Sequence, residues 1–161
     1  MTTPAPQPFP HLDAAGAARM VDVSAKQVTV REAVAAGRLV VSAAVLDALR
    51  DGTLPKGDAL AVARIAGIAG AKRVPDLLPL AHPVALHAVA VDVVPGEGAV
   101  LITATVRTAD RTGIEMEALT AVAVAGLALH DMVKKLDPSA CLTDVRLLTK
   151  SGGRSGTWIR P

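Results

Sequence analysis

Aromatic side chains are nearly missing from these 161 residues, which include one Phe, one Trp and no Tyr. Because Phe9 and Trp158 stand near opposite ends of the chain, they cannot form the multi-ring platform on which single-stranded nucleic acid stacks its bases. Cysteine is equally scarce: Cys141 alone excludes an intrachain disulfide and any Cys-x-x-Cys metal or redox motif, and fits a reducing cytoplasm. The balance of 17 basic and 15 acidic residues, net +2, is too small for the electrostatic footprint of a general DNA binder. The two most apolar stretches, Ala59 to Ala71 and Ala118 to Leu129, fall short of the roughly 18 residues of a bilayer span. The N-terminus lacks the charged and apolar regions of a signal peptide. Also missing are a G-x-S-x-G elbow, a Walker loop and the His/His/carboxylate spacing of a zinc site.

What is present is small and aliphatic. Hydrophobic residues make up 51% of the chain, including 31 Ala, 21 Val and 18 Leu, so the whole chain does not have the composition of a disordered one. Small side chains bury less area each, at about 0.8 kcal/mol per methylene, which predicts subunit contacts as a supplement to the core. Charge is unevenly placed: residues 134–161 carry six basic against two acidic residues, whereas residues 1–133 carry 11 against 13. A local anion site is the expected consequence.

Residues 1–10, with proline at alternate positions from Pro4 to Pro10, predict an unpacked tail. One domain is expected over residues 11–157, with 158–161 as a C-terminal tail. Met20 to Val23 reads as a short strand. Thr29 followed by Glu32 resembles a helix start, closed by Gly37, with Leu39 to Val41 a second extended piece. Ser42 is placed to cap a helix through Arg50, and Asp51 to Asp58 reads as a turn-rich loop holding Lys56. A buried helix follows from Asp58 to about Arg73, ended by Pro75. Val84 to Val94 and Ala99 to Thr108 predict a hairpin around Pro95-Gly-Glu-Gly98. A long helix then runs from the Thr112-Gly-Ile-Glu-Met-Glu segment to about Leu136, followed by a strand from Leu142 to Leu148. This order predicts an α+β fold, an antiparallel sheet with helices packed on one face.

The long helix carries the clearest constellation. Asp131 and Lys134, three residues apart, share a face. On spacing alone they form an ordinary surface ion pair; a desolvated Lys134 positioned by Asp131 would instead exchange protons. Glu115 and Glu117 suit a helix N-terminus, and Glu117 stands 14 residues from Asp131, about 21 Å along the axis. A site using both therefore takes an extended ligand or combines two subunits. Lys150-Ser-Gly-Gly-Arg-Ser-Gly156 sets mobile backbone N–H groups beside two cations, a combination suited to phosphate oxygens. His82, held before Pro83, is a candidate ligand contact, while Lys56, Lys72 and Arg73 read as ordinary surface charge.

Taken together, Met20-Val-Asp-Val-Ser-Ala-Lys26, Lys56-Gly-Asp58, Asp76-Leu-Leu-Pro-Leu-Ala-His-Pro83, Thr112-Gly-Ile-Glu-Met-Glu-Ala-Leu-Thr-Ala121, His130-Asp-Met-Val-Lys134 and Val145-Arg-Leu-Leu-Thr-Lys-Ser-Gly-Gly-Arg-Ser-Gly156 closely resemble the cyclic pyranopterin monophosphate synthase family, molybdenum cofactor biosynthesis protein C. The resemblance runs from about residue 11 to 157. It implies a ferredoxin-like subunit, a homo-oligomer that is a hexamer built as a trimer of dimers, and active sites at subunit boundaries. It also implies a cyclised dihydro-GTP substrate, rearranged to a pterin with release of pyrophosphate. By motif, Asp131 and Lys134 match the catalytic pair and Lys56 the loop lysine that reaches the substrate. Leu80, Ala81, His82, Glu115, Met116 and Glu117 fall in substrate-contacting segments, and Lys72 and Lys150 match pocket cations. Ala81 stands where the family usually has Cys. Mg2+ is compatible as a companion of the triphosphate, and no protein site dedicated to it is visible. Neither a nucleic acid nor a membrane partner is expected. A nonenzymatic nucleotide-binding module is the competing class.

Overall fold

The computed structural model describes residues 11–13 and 15–161; the predicted proline-rich tail, residues 1–10, and Phe9 with it lie outside the described residues. Five strands and four helices follow in the order β1 (Thr29–Val40), α1 (Ala43–Arg50), α2 (Ala59–Ala71), α3 (Val74–Leu77), β2 (Ala88–Pro95), β3 (Ala99–Asp110), α4 (Glu115–Val133), β4 (Cys141–Ser151) and β5 (Trp158–Ile159).

The central strand corrects the sequence reading. Thr29 to Gly37 was expected to be helical, yet β1 runs unbroken through it and through the extended piece at Leu39. Its inward positions recur every second residue, at Ala33, Ala35, Gly37 and Leu39, the period of a strand. Pairing on both sides, with β3 and with β4, overrides the helical propensity of its alanines. Met20 to Val23 forms no strand. Val84 to His87 runs irregularly into β2, which begins only at Ala88. Pro75 opens the single-turn helix α3 after α2 has already ended at Ala71. The last residues, expected as a tail, pair with β4 as β5.

The sheet order is β2-β3-β1-β4-β5, with every pairing antiparallel. A helix follows β1 and another follows β3, and each crossover skips one strand, which is the ferredoxin-like arrangement. Beneath α2 and α4 the core gathers Leu39, Val100, Ile102, Val106, Ala121 and Leu129. A Cβ added at Gly67 of α2 would stand 2.8 Å from the Ala121 carbonyl oxygen of α4, and one at Gly37 of β1 would stand 2.8 Å from Val122 Cγ1. The sheet and the two helices on it are therefore pressed closer than large side chains allow, which accounts for a core of alanine, valine and glycine.

Among the described residues α4 alone has the length and apolarity to cross a bilayer. It is instead the core helix, with Ala118, Ala121, Val122, Ala125, Leu129 and Val133 buried against the sheet and α2. The topology gives the molecule two chemical ends. The start of β1 meets the ends of β3 and β4, through Thr29↔Asp110 and Glu32↔Ser151, beside the N-terminus of α4. The C-terminus of α4 lies at the other end, facing the loop between α1 and α2.

Candidate active site

At the N-terminal end of α4 a cavity of about 490 Å³ is lined by Leu80, Ala81, His82, Glu115, Met116 and Glu117, together with Val21, Lys26 and Arg154. The rigid Pro79–Pro83 segment supplies one wall and the first turn of α4 the other. His82 Nε2 donates to the Val21 carbonyl at 2.6 Å, since a carbonyl can only accept; this ties the segment before β1 to the cavity. Lys150 Nζ bonds Glu115 Oε1 at 2.8 Å. Burial pushes the Glu115 carboxyl up, but Lys150's hydrogen bond and the charges of Lys150 and Arg31 outweigh it and hold the group below its ordinary value.

Glu117 behaves in the opposite way. It is 4% exposed, and burial, with the Glu115 charge adding to it, pushes its carboxyl up to about 7 against the pull of its own backbone N–H. Two carboxyl groups two residues apart are thus driven to different protonation states, a separation typical of acid/base chemistry.

A second cavity of about 650 Å³ adjoins the first, sharing Lys26 and Arg154 and adding Arg31, Thr29 and Gly153. No carboxylate lines it. Arg31 is fixed by its Nε bond to the Asp110 carbonyl at 2.9 Å. Gly153 sits at φ +69, a backbone conformation that favours glycine, and a Cβ there would displace the Arg31 guanidinium. The Thr29 hydroxyl oxygen is buried without a partner. Lys26 and Arg31 escaped sequence reasoning. Lys26 sat unremarked within the Met20–Lys26 segment, and Arg31 was assigned to a helix that does not exist. Arg154 is the second cation of the glycine-rich loop.

The other end of α4 brings Lys56, Asp131 and Lys134 together. Lys134 Nζ stands 2.7 Å from Asp131 Oδ1 and Lys56 Nζ 3.0 Å from Oδ2, while Lys56 also donates to the Asp131 carbonyl at 2.6 Å. Hydrogen bonds from Lys134 and then Lys56, with their charges, hold the Asp131 carboxyl down to about 2. Asp131 is therefore an anion throughout the physiological range, and any proton delivered from this cluster comes from a lysine.

The structure thus assembles two groups of the expected residues and keeps them at opposite ends of one helix, about 21 Å apart. Lys72, the C-cap of α2, joins neither. Among the described residues there is no group of three or more potential metal ligands, and none of those lining either cavity is aromatic apart from histidine.

Comparison with known proteins places nearly the whole chain among named relatives. A cyclic pyranopterin monophosphate synthase of Streptomyces coelicolor is 61% identical over 150 residues, covering 93% of this chain and 88% of that protein. The protein of the same name in Nocardioides sp. is 55% identical over 159 residues, covering 97% and 98%. That of Rhodospirillum rubrum is 56% identical over 163 residues, covering 98% of each chain. The MoaC family model matches residues 20–153, a span from the segment tied down by His82 to the glycine hairpin against Arg31, and the chain belongs to the MoaC family.

Proposed function

We propose that the chain is a lyase of molybdenum cofactor biosynthesis. It converts (8S)-3',8-cyclo-7,8-dihydroguanosine 5'-triphosphate to cyclic pyranopterin monophosphate and pyrophosphate. The observation that carries this reading is the Lys56–Asp131–Lys134 cluster, retained in a chain whose 55–61% identical relatives are named cyclic pyranopterin monophosphate synthase.

The reaction opens an imidazole-derived ring, moves protons during rebuilding of the pterin, and closes a cyclic phosphate. In the last step a substrate hydroxyl attacks the α-phosphorus in line, the bond to the β-phosphate breaks, pyrophosphate leaves, and the hydroxyl proton passes to a base. Lys134 is the principal proton-transfer group, held by Asp131, and Lys56 closes over the ligand as acid or phosphate clamp. Glu117, with both its forms populated near neutrality, is a second proton-exchanging group at the ring end. Leu80, Ala81, His82, Met116 and Glu117 read the ring by hydrogen bonds and aliphatic contact, with Ala81 acting through its backbone. Lys26, Arg31, Lys150 and Arg154 face the phosphates. Mg2+, where present, enters with the triphosphate.

One small substrate meets both ends of α4 only where two protomers adjoin, so the active species is a homo-oligomer, a hexamer arranged as a trimer of dimers, working in the cytoplasm. Lys72 joins the pocket from a neighbouring protomer. Incubating the chain with the cyclised triphosphate and measuring pyrophosphate and pterin tests the reading. Release of both is expected, whereas binding without pyrophosphate release would make the chain a binding module instead.

A further inference from the structure

We propose that Asp137 is a positioning residue for the Lys56–Asp131–Lys134 cluster, joining the end of α4 to the start of α1 so that Lys56 meets Asp131. The kinetic part of this inference rests on the function proposed above. Asp137 is 7% exposed, one of only three buried polar or charged residues among those described, and it lines neither of the two cavities. Its carboxylate is fully engaged. Oδ2 accepts from the Ser42 backbone N–H at 2.7 Å, and Oδ1 accepts from Ser139 N–H at 3.0 Å and from Ser139 Oγ at 2.6 Å. Its own N–H donates to the Val133 carbonyl at 3.1 Å.

These bonds fasten two arms to one group. Toward the N-terminal side of α4's end, Lys134 N–H donates to the His130 carbonyl and Leu136 N–H to that of Val133, both at 2.8 Å, so the chain from Lys134 to Asp137 is turned and short. On the other side, Ser42 stands at the N-cap of α1 without a capping bond from its own side chain. The eight residues of α1 then lead into the loop that carries Lys56, pinned by Thr53 N–H to the Ala48 carbonyl and by buried Leu54. A carboxylate 95 residues from Ser42 in sequence thereby sets where the Lys56 arm leaves the body, and where the Lys134 arm ends.

Two variants separate positioning from bulk stability. Asp137→Asn removes one acceptor, because an amide nitrogen cannot accept. Ser42→Pro removes the α1 donor at a φ of −66 that proline accepts, and its ring Cδ takes the place of the N–H, so the Asp137 carboxylate is released from α1 without a change at Asp137 itself. The first readout is the acylation rate of Lys56, measured by mass spectrometry against a lysine-containing reference peptide added to the same reaction. Several-fold faster labelling is expected in both variants, and an unchanged ratio would overturn the inference. The second is a double-mutant cycle with Lys56→Ala. Asp137→Asn is expected to lower kcat about tenfold in the parent chain, since small misplacements are costly, and less than about twofold once Lys56 is gone. Equal losses in both backgrounds would reduce Asp137 to a stability residue. An inactive parent chain would count against the proposed function alone, leaving the labelling ratio to decide the role of Asp137.

Discussion

Glu117 and Asp131 are carboxylates of one helix with opposite titration behaviour, and each has a consequence that can be measured. For Glu117 the folded value of about 7 exceeds the ordinary 4.5, so the native state binds the extra proton between these limits. The resulting stability is fully present below pH 4.5 and lost as pH rises through 7; by the linkage relation it amounts to roughly 3 kcal/mol. Glu117→Gln should therefore unfold at higher denaturant than the parent above pH 7, and converge with it near pH 4. The same variant should lose an inflection near pH 7 from its pH–rate profile. Asp131 runs the other way. Its contribution is fully present well above the ordinary 3.8 and is lost as pH falls through about 2, so the destabilisation caused by Asp131→Asn should shrink as pH falls below 4 and become small only at about pH 2 and below. Lys134→Ala is expected to abolish product formation while retaining a native circular dichroism spectrum; near-parental turnover would remove Lys134 from the mechanism.

At the scale of elements, close approach governs what the layers tolerate. Gly67→Val should cost about 1–3 kcal/mol by overpacking, read as a lower denaturation midpoint, because the Cβ position already stands 2.8 Å from a backbone oxygen of α4. The elements also explain which parts of the fold could be read in advance. The hairpin at Pro95–Gly98, α2 and α4 follow local rules of turn chemistry and apolar patterning, and their sequence signals suffice. In β1 the residues Ala33, Ala35 and Ala36 favour a helix locally, and only the neighbouring strands, more than sixty residues away for β3, make the segment extended. That misreading hid Arg31, which a strand directs to the cationic cavity. The short β5 carries too few residues for any local signal; once it is extended, Arg160 and Trp158 share a face, and the guanidinium lies over the ring at 5.6 Å. Lys26 lacks a local signal altogether, since its place beside Arg31 and Arg154 in the second cavity arises only in the folded chain.

For the whole molecule, the scarcity of aromatics takes on a second meaning. Tight layers have no room for large rings in the core, and among the described residues neither cavity offers one to a ligand; under the proposed function a guanine-derived ring is therefore held by hydrogen bonds and charge rather than by stacking on these residues. Under the proposed function, the division of the candidate residues between the two ends of α4 requires an active site shared between protomers. Complementation between two inactive variants tests this: Glu117→Ala and Lys134→Ala chains are coexpressed, purified as mixed assemblies and assayed for pyrophosphate and pterin. If each site joins the Glu117 end of one protomer to the Lys134 end of another, equal random mixing restores about a quarter of parental activity, because half of the pairs are mixed and each mixed pair has one intact site. Mixed assemblies that stay as inactive as either variant alone would contradict a site shared between protomers.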